Sequence, residues 1–104
     1  MITKEQVVEK LRDVIDPELG VNVVELGLVY KIELTENSPR VHIEMTLTTP
    51  GCPLASMFDR MVKDALFTLE DGFVPEKDVV ITLVWDPPWV PDFMSDMAKA
   101  ELGF

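Results

Sequence analysis

Residues 28–47 read LVYKIELTENSPRVHIEMTL, and the hydrophobic period of this stretch decides the fold. Leu28, Tyr30, Ile32 and Leu34 alternate with Val29, Lys31, Glu33 and Thr35. Val41, Ile43, Met45 and Leu47 alternate with Arg40, His42, Glu44 and Thr46. A period of two belongs to half-buried strands, because successive side chains point to opposite faces. Between the runs, Glu36-Asn37-Ser38-Pro39 supplies turn chemistry. The expectation is an antiparallel hairpin with one apolar face, which a single layer of helices then covers.

Helical periods flank the hairpin. Thr3 and Gln6 read as a capping box. Val7, Leu11, Val14 and Ile15 then share a face at offsets of four, seven and eight. This helix is expected to stop before Pro17, whose ring disfavours the α region at the preceding residue. Asp16 to Gly20 reads as a loop, and Val21 to Gly27 fits no single period. Beyond the hairpin, Leu54, Met57, Phe58, Met61, Val62, Ala65, Leu66 and Leu69 form a stripe opposite Asp59, Arg60, Lys63 and Asp64. Gly72 ends that helix. Val79 to Trp85 is a β-branched run and a third strand. Three prolines stiffen residues 86–91. A last helix is expected from about Asp92 to Leu102, with Phe93 or Met94, Met97, Ala98 and Leu102 inward. The order α-β-β-α-β-α predicts an α+β fold: a two-layer single domain over residues 1–104, with a small mixed sheet covered on one face by helices.

Connectivity then predicts a site. In a hairpin the start of the first strand lies beside the end of the second. The helical connection to the third strand is expected to be a right-handed crossover, which makes that strand parallel to the second. Asp16, Glu18, Thr48, Thr49, Cys52, Asp86 and Trp89 are therefore expected at one sheet edge. Crevices at the carboxyl ends of parallel strands are favoured ligand sites.

Composition narrows the chemistry. The chain has 104 residues, 47% of them hydrophobic, with 19 acidic and 9 basic residues and a formal net charge of −10. That field repels a phosphate backbone and anionic membranes, so neither nucleic acid nor membrane is an expected partner. No stretch is long and apolar enough for a membrane span, and the first residues lack a signal-peptide pattern. A single cysteine forms no internal disulfide, which fits a reducing cytoplasmic setting. A chain this small is also a candidate for homodimerisation.

That cysteine, Cys52, lies in Thr48-Thr49-Pro50-Gly51-Cys52-Pro53, directly before the long helical stripe. Unpaired N–H groups and the dipole at a helix start favour thiolate over thiol. Pro53 suits the first helical position and Gly51 permits a sharp approach. The competing reading is a small buried hydrophobe. No hydrolase dyad is expected. His42, the only histidine, stands six residues before Thr48 on one strand. That spacing puts it roughly 20 Å away at about 3.3 Å per residue. One cysteine and one distant histidine do not make a zinc set. As a soft-metal or iron–sulfur ligand, Cys52 would need sulfurs from a second protomer, a partner or glutathione, giving an open and labile site. Asp16 and Glu18 read either as an acidic pair holding the cysteine loop or as a helix stop and solvated turn. Thr48 and Thr49 read either as strand-end β-formers or as hydroxyls that orient the thiolate.

Four segments also stand in order: Asp16-Pro17-Glu18-Leu19-Gly20, Leu26-Gly27-Leu28-Val29-Tyr30, Thr48-Thr49-Pro50-Gly51-Cys52-Pro53 and Trp85-Asp86-Pro87-Pro88-Trp89. Together they resemble the PaaD/SufT-like metal–sulfur cluster assembly domain over nearly the whole chain. The resemblance implies a non-enzymatic factor in iron–sulfur cluster maturation, working with assembly proteins and client apoproteins. It places Cys52 at the family's functional cysteine, the metal ligand. Asp16 and Glu18 match its acidic pair, and Thr48 and Thr49 line the same pocket. A transient iron–sulfur cluster, shared with a second protomer or partner and not tightly held, is the implied cargo. The alternative is an adaptor that docks clients to the assembly machinery without binding a cluster.

The helix-start placement of Cys52 predicts a thiol pKa below the free-cysteine value of about 8.5. Alkylation rates followed against pH give the midpoint, and a value at or above that figure removes the expectation.

Overall fold

A computed structural model describes residues 2–17, 19–37, 39–48, 54–69 and 72–103. The expected roles of Glu18, Ser38, Thr49, Pro50, Gly51, Cys52 and Pro53, and of the Leu54 side chain, lie outside the described residues. The elements run α1 (Lys4–Leu11), β1 (Val29–Leu34), β2 (Val41–Met45), α2 (Leu54–Leu66), α3 (Pro75–Asp78), β3 (Val79–Leu83) and α4 (Asp96–Leu102), with a 3-10 turn at Pro91–Phe93. The one-turn α3 and the 3-10 turn are additions to the expected order. The α+β class stands.

The sheet has the order β1-β2-β3. β2 pairs antiparallel with β1 and parallel with β3, as the connectivity required. Cross-strand partners share a face, and the register sorts them cleanly. Ile32↔Ile43, Val41↔Val79, Ile43↔Ile81 and Met45↔Leu83 face the core. Glu33↔His42, His42↔Val80 and Glu44↔Thr82 face away from it. Phe58, Val62 and Leu66 of α2 join Val7 and Leu11 of α1 and the inward sheet residues in one apolar cluster. Met57 is exposed, so the stripe on α2 is narrower than its sequence suggests.

One irregularity changes the reading of β1. The register shifts between Val29, opposite Met45, and Lys31, opposite Glu44, leaving Tyr30 as the extra residue of a β-bulge. The simple alternation predicted Tyr30 inward with Leu28 and Ile32. The bulge instead sends it to the far side, where its ring meets Phe93 edge to face at 6.0 Å.

Helix α1 carries the expected capping box, with Gln6 N–H donating to Thr3 Oγ1 and Thr3 N–H to Gln6 Oε1. It ends at Leu11, earlier than Pro17 alone demands. The cause is tertiary. Val14 leaves the helix to accept a backbone bond from Val23 (2.9 Å) and stays buried, while Ile15 bridges to Asn22 and is exposed. The C-terminal helix is also shorter than expected. Pro91 opens a 3-10 turn, and Ser95 then caps α4, its Oγ accepting from Ala98 N–H at 3.1 Å. Met94 and Ala98 are buried; Phe93 and Met97 are exposed. No helix among the described residues is long and apolar enough to cross a membrane.

Gly27 fixes the approach of the C-terminal segment. Its φ is +76°, and a Cβ there would overlap the Phe93 carbonyl oxygen and reach its carbon at 2.8 Å. Gly20 has a similar φ of +73° but open space around it. Gly27→Ala should therefore cost about 2–4 kcal/mol, from left-handed strain plus backbone overlap. Gly20→Ala should cost only the strain, about 1–2 kcal/mol. Urea unfolding of both variants checks this, and equal losses would show that the Phe93 contact yields freely.

Candidate functional site

Mixed pairing brings three chain ends to one edge of the sheet. Val29, Met45 and Leu83 lie side by side, so the start of β1 and the ends of β2 and β3 coincide. Beyond Met45 the chain enters residues 46–53, the segment that carries Thr48, Thr49 and Cys52.

A run of backbone hydrogen bonds connects this edge to Asp16. Thr46 N–H donates to Leu28 O (2.8 Å), Leu28 N–H to Val23 O (3.1 Å) and Val23 N–H to Val14 O (2.9 Å). Asp16 N–H donates to Val21 O (3.0 Å), and Gly20 N–H returns to Asp16 O (2.7 Å). The segment that fitted no single period is thus a tightly bonded loop with Val21, Val23 and Leu26 buried. Asp16 is itself 2% exposed, and its Oδ1 accepts from Leu19 N–H at 3.2 Å. Accepting from Leu19 N–H is therefore one physical task of this carboxylate. A solvated turn is not its environment. Thr48 is half-buried, three residues past the end of β2. Glu18, Thr49 and Cys52 lie outside the described residues. Of the five candidate residues, only Asp16 and Thr48 are among the described ones: Asp16 in this bonded loop, Thr48 beyond the end of β2.

Residues 84–95 close the same edge from above. Val84 N–H donates to Met45 O (2.9 Å), continuing the β2–β3 pairing. Trp89 Nε1 donates to Leu26 O (2.7 Å), and Ser95 N–H donates to Glu25 O (2.8 Å). Trp89 packs against the core, whereas Asp86 and Trp85 are exposed. Arg12 Nη1 reaches Glu25 Oε1 at 3.2 Å, so Glu25 ties α1 and the C-terminal segment to the loop.

Sequence reasoning gave Tyr30 and Thr46 no role here. The Tyr30 hydroxyl donates to Pro87 O (2.8 Å), 57 residues away. Thr46 Oγ1 is fully buried and has no well-formed hydrogen bond among the described residues. The phenol is nevertheless close enough to feel the Thr46 side chain. Burial raises the Tyr30 pKa above its ordinary 10.0, and that neighbour partly offsets the rise. A turn-rich Asp86-Pro87-Pro88 after a strand was the available signal, but nothing local pointed it at Tyr30.

His42 sits in mid-β2 on the open face, its Nε2 2.8 Å from Thr82 Oγ1. No group of three or more His, Cys, Asp or Glu side chains among the described residues is arranged to hold a metal ion.

Comparisons with known proteins agree with this architecture. Residues 4–76 match the family described as "Iron-sulfur cluster assembly protein". The chain is 48% identical over 100 residues to the Fe-S protein maturation auxiliary factor YitW of Bacillus subtilis, covering 96% of this chain and 93% of that one. It is 43% identical over 91 residues to the Fe-S protein maturation auxiliary factor SufT of Staphylococcus aureus, covering 86% and 97%. A crystal structure of a domain of unknown function from Bacillus anthracis superposes with a TM-score of 0.83 at 43% identity, covering 97% of this chain and 92% of that one.

Tyr30 is the sole tyrosine, so phenolate absorbance reports it alone. Its folded pKa lies above 10.0, where an unfolded phenol titrates. The stability linked to this group is full below about pH 10 and is lost as pH rises through the raised folded value. A titration midpoint at or below 10.0 would show that the phenol is not desolvated.

Proposed function

The chain belongs to the iron–sulfur cluster assembly protein family, and on that footing we propose that it is a maturation factor using Cys52 to carry or hand on clusters. The observation that supports this reading most is the extent of the family match. Residues 4–76 take in Asp16, Glu18, Thr48, Thr49 and Cys52 together. Relatives named as maturation auxiliary factors, as a chloroplastic Fe-S cluster assembly factor and as an iron-sulfur cluster carrier protein point the same way. Their names describe factors and carriers, which fits a role without catalysis.

The cluster is cargo in this reading. A thiolate is a soft ligand and suits iron–sulfur chemistry. A single cysteine per chain leaves most of the coordination to a second protomer or a partner protein. Such a shared site releases its cargo readily, as delivery to client apoproteins requires. In this reading Asp16 serves by holding the loop through Leu19 N–H, and Thr48 stands between the end of β2 and the cysteine segment. A reducing cytoplasmic setting keeps the thiol available. The alternative, an adaptor that docks clients without holding a cluster, draws support from the exposed aromatic surface beside the same edge.

Anaerobic reconstitution with iron and sulfide separates the two. The carrier reading expects visible absorbance that disappears in both Cys52→Ser and Cys52→Ala, with unfolding midpoints near wild type. Client maturation should fall equally in both. No visible absorbance in the wild-type chain, with complementation at wild-type level by both variants at equal abundance, would leave the adaptor reading in place.

A further inference from the structure

Residues 79–98 contain three aspartates and no Lys, Arg or His. Asp86, Asp92 and Asp96 are exposed, and none forms a salt bridge among the described residues. The same segment exposes unusually large apolar side chains: Trp85 (43%), Val90 (40%), Phe93 (40%) and Met97 (54%). A shallow groove of about 510 Å³ opens there, lined by Gly27, Val29, Tyr30, Pro87 and Phe93. Asp86 and Asp92 directly precede Pro87 and Phe93, so uncompensated carboxylates flank the groove at two points.

We propose that this groove docks a basic, apolar segment of a partner protein, one that presents Arg or Lys beside an aliphatic side chain. The Tyr30 and Phe93 rings supply faces for an aliphatic side chain or a guanidinium, and the flanking carboxylates supply the opposite charge. Exposed aromatic and methionine side chains are the composition of interface centres. The groove is also held in place before any partner arrives. The Tyr30 hydroxyl is bonded to Pro87 O, the Trp89 indole to Leu26 O, and Gly27 abuts the Phe93 backbone. Little ordering remains to oppose binding. Charge selects the occupant. At this groove the exposed carboxylates disfavour an acidic occupant such as a second copy of this chain, of net charge −10, and favour a basic segment. The groove begins at Val29, next to Met45, so a docked segment lies along the edge that leads into residues 46–53. The docking surface does not depend on Cys52 binding a cluster.

The test is a titration of the 15N-labelled chain with a synthetic peptide, acetyl-Arg-Leu-Lys-Leu-Arg-amide, against the same peptide with Glu at the three basic positions. The expected result is amide shifts centred on Gly27, Tyr30 and Phe93 with the basic peptide alone, weakening with added salt. Asp86→Asn with Asp92→Asn should weaken binding about five- to tenfold, as loss of two exposed charge contacts would. Phe93→Ala, at a 40% exposed position, should weaken it further while leaving the rest of the spectrum folded. Repeating the titration on Cys52→Ser should give unchanged binding, which keeps this result separate from the carrier reading. The proposal is overturned by equal shifts with the acidic peptide, by shifts centred elsewhere, or by no shifts at millimolar peptide. It is also overturned if the same residues shift on concentrating the protein alone, because the occupant is then a second copy.

Discussion

Strand β2 is hydrogen-bonded on both sides, antiparallel to β1 and parallel to β3, and the remaining architecture hangs from this mixed pairing. An antiparallel neighbour brings its beginning to the end of β2. A parallel neighbour brings its own end to the same place. Three chain segments that are distant in sequence therefore meet beyond Met45. The loop from Asp16 to Leu28 is then anchored to that meeting point through Thr46, Leu28, Val23 and Val14. Backbone bonds of this kind do not depend on side-chain identity. The edge is accordingly a rigid platform on which exposed or reactive side chains can vary.

The bulge at Tyr30 ties that edge to the C-terminal segment. An unbroken ladder would have put the phenol in the core, between residues that already fill it. With one residue extra, Val29 keeps its place opposite Met45, and Tyr30 passes to the far face to meet Pro87 and Phe93. The buried Thr46 hydroxyl lies close enough to the phenol to offset part of its raised pKa. The gain is a fixed seat for the C-terminal segment, whose prolines could otherwise point it anywhere.

Charge and apolarity are divided over this molecule in a way that suits a factor working through other proteins. Asp86 and Asp92, exposed and without a salt bridge among the described residues, directly precede two residues of the aromatic groove, while on β1 Lys31 and Glu33 pair at 2.9 Å. That contact raises the Lys31 pKa and lowers that of Glu33, chiefly through their mutual hydrogen bond. Paired charges on β1 discourage another strand from adding there, as edge protection requires. Unpaired ones near the groove leave a directional field for an oppositely charged partner.

Much of the fold was legible in local pattern. The capping box at Thr3 and Gln6, the period-two runs of the hairpin and the Phe58-Val62-Leu66 stripe of α2 all emerged as read, because each depends on spacing within one element. The parallel placement of β3 beside β2 followed from connectivity and handedness without any knowledge of packing. Other features needed the folded chain. Val14 and Ile15 have helical spacing yet leave α1, because a tertiary bond to Val23 outweighs one more helical turn. Met57 and Met97 fit apolar stripes yet stay exposed, since the core is already filled by their neighbours. Asp16 looks like a solvated turn residue and is buried, because the loop closes over it. The contacts from Tyr30 to Pro87 and from Trp89 to Leu26 span 57 and 63 residues, and no local period encodes pairs so far apart. Sequence determined which elements form and which edge they share; only tertiary packing decided which side chains at that edge are buried, bonded or left facing a partner.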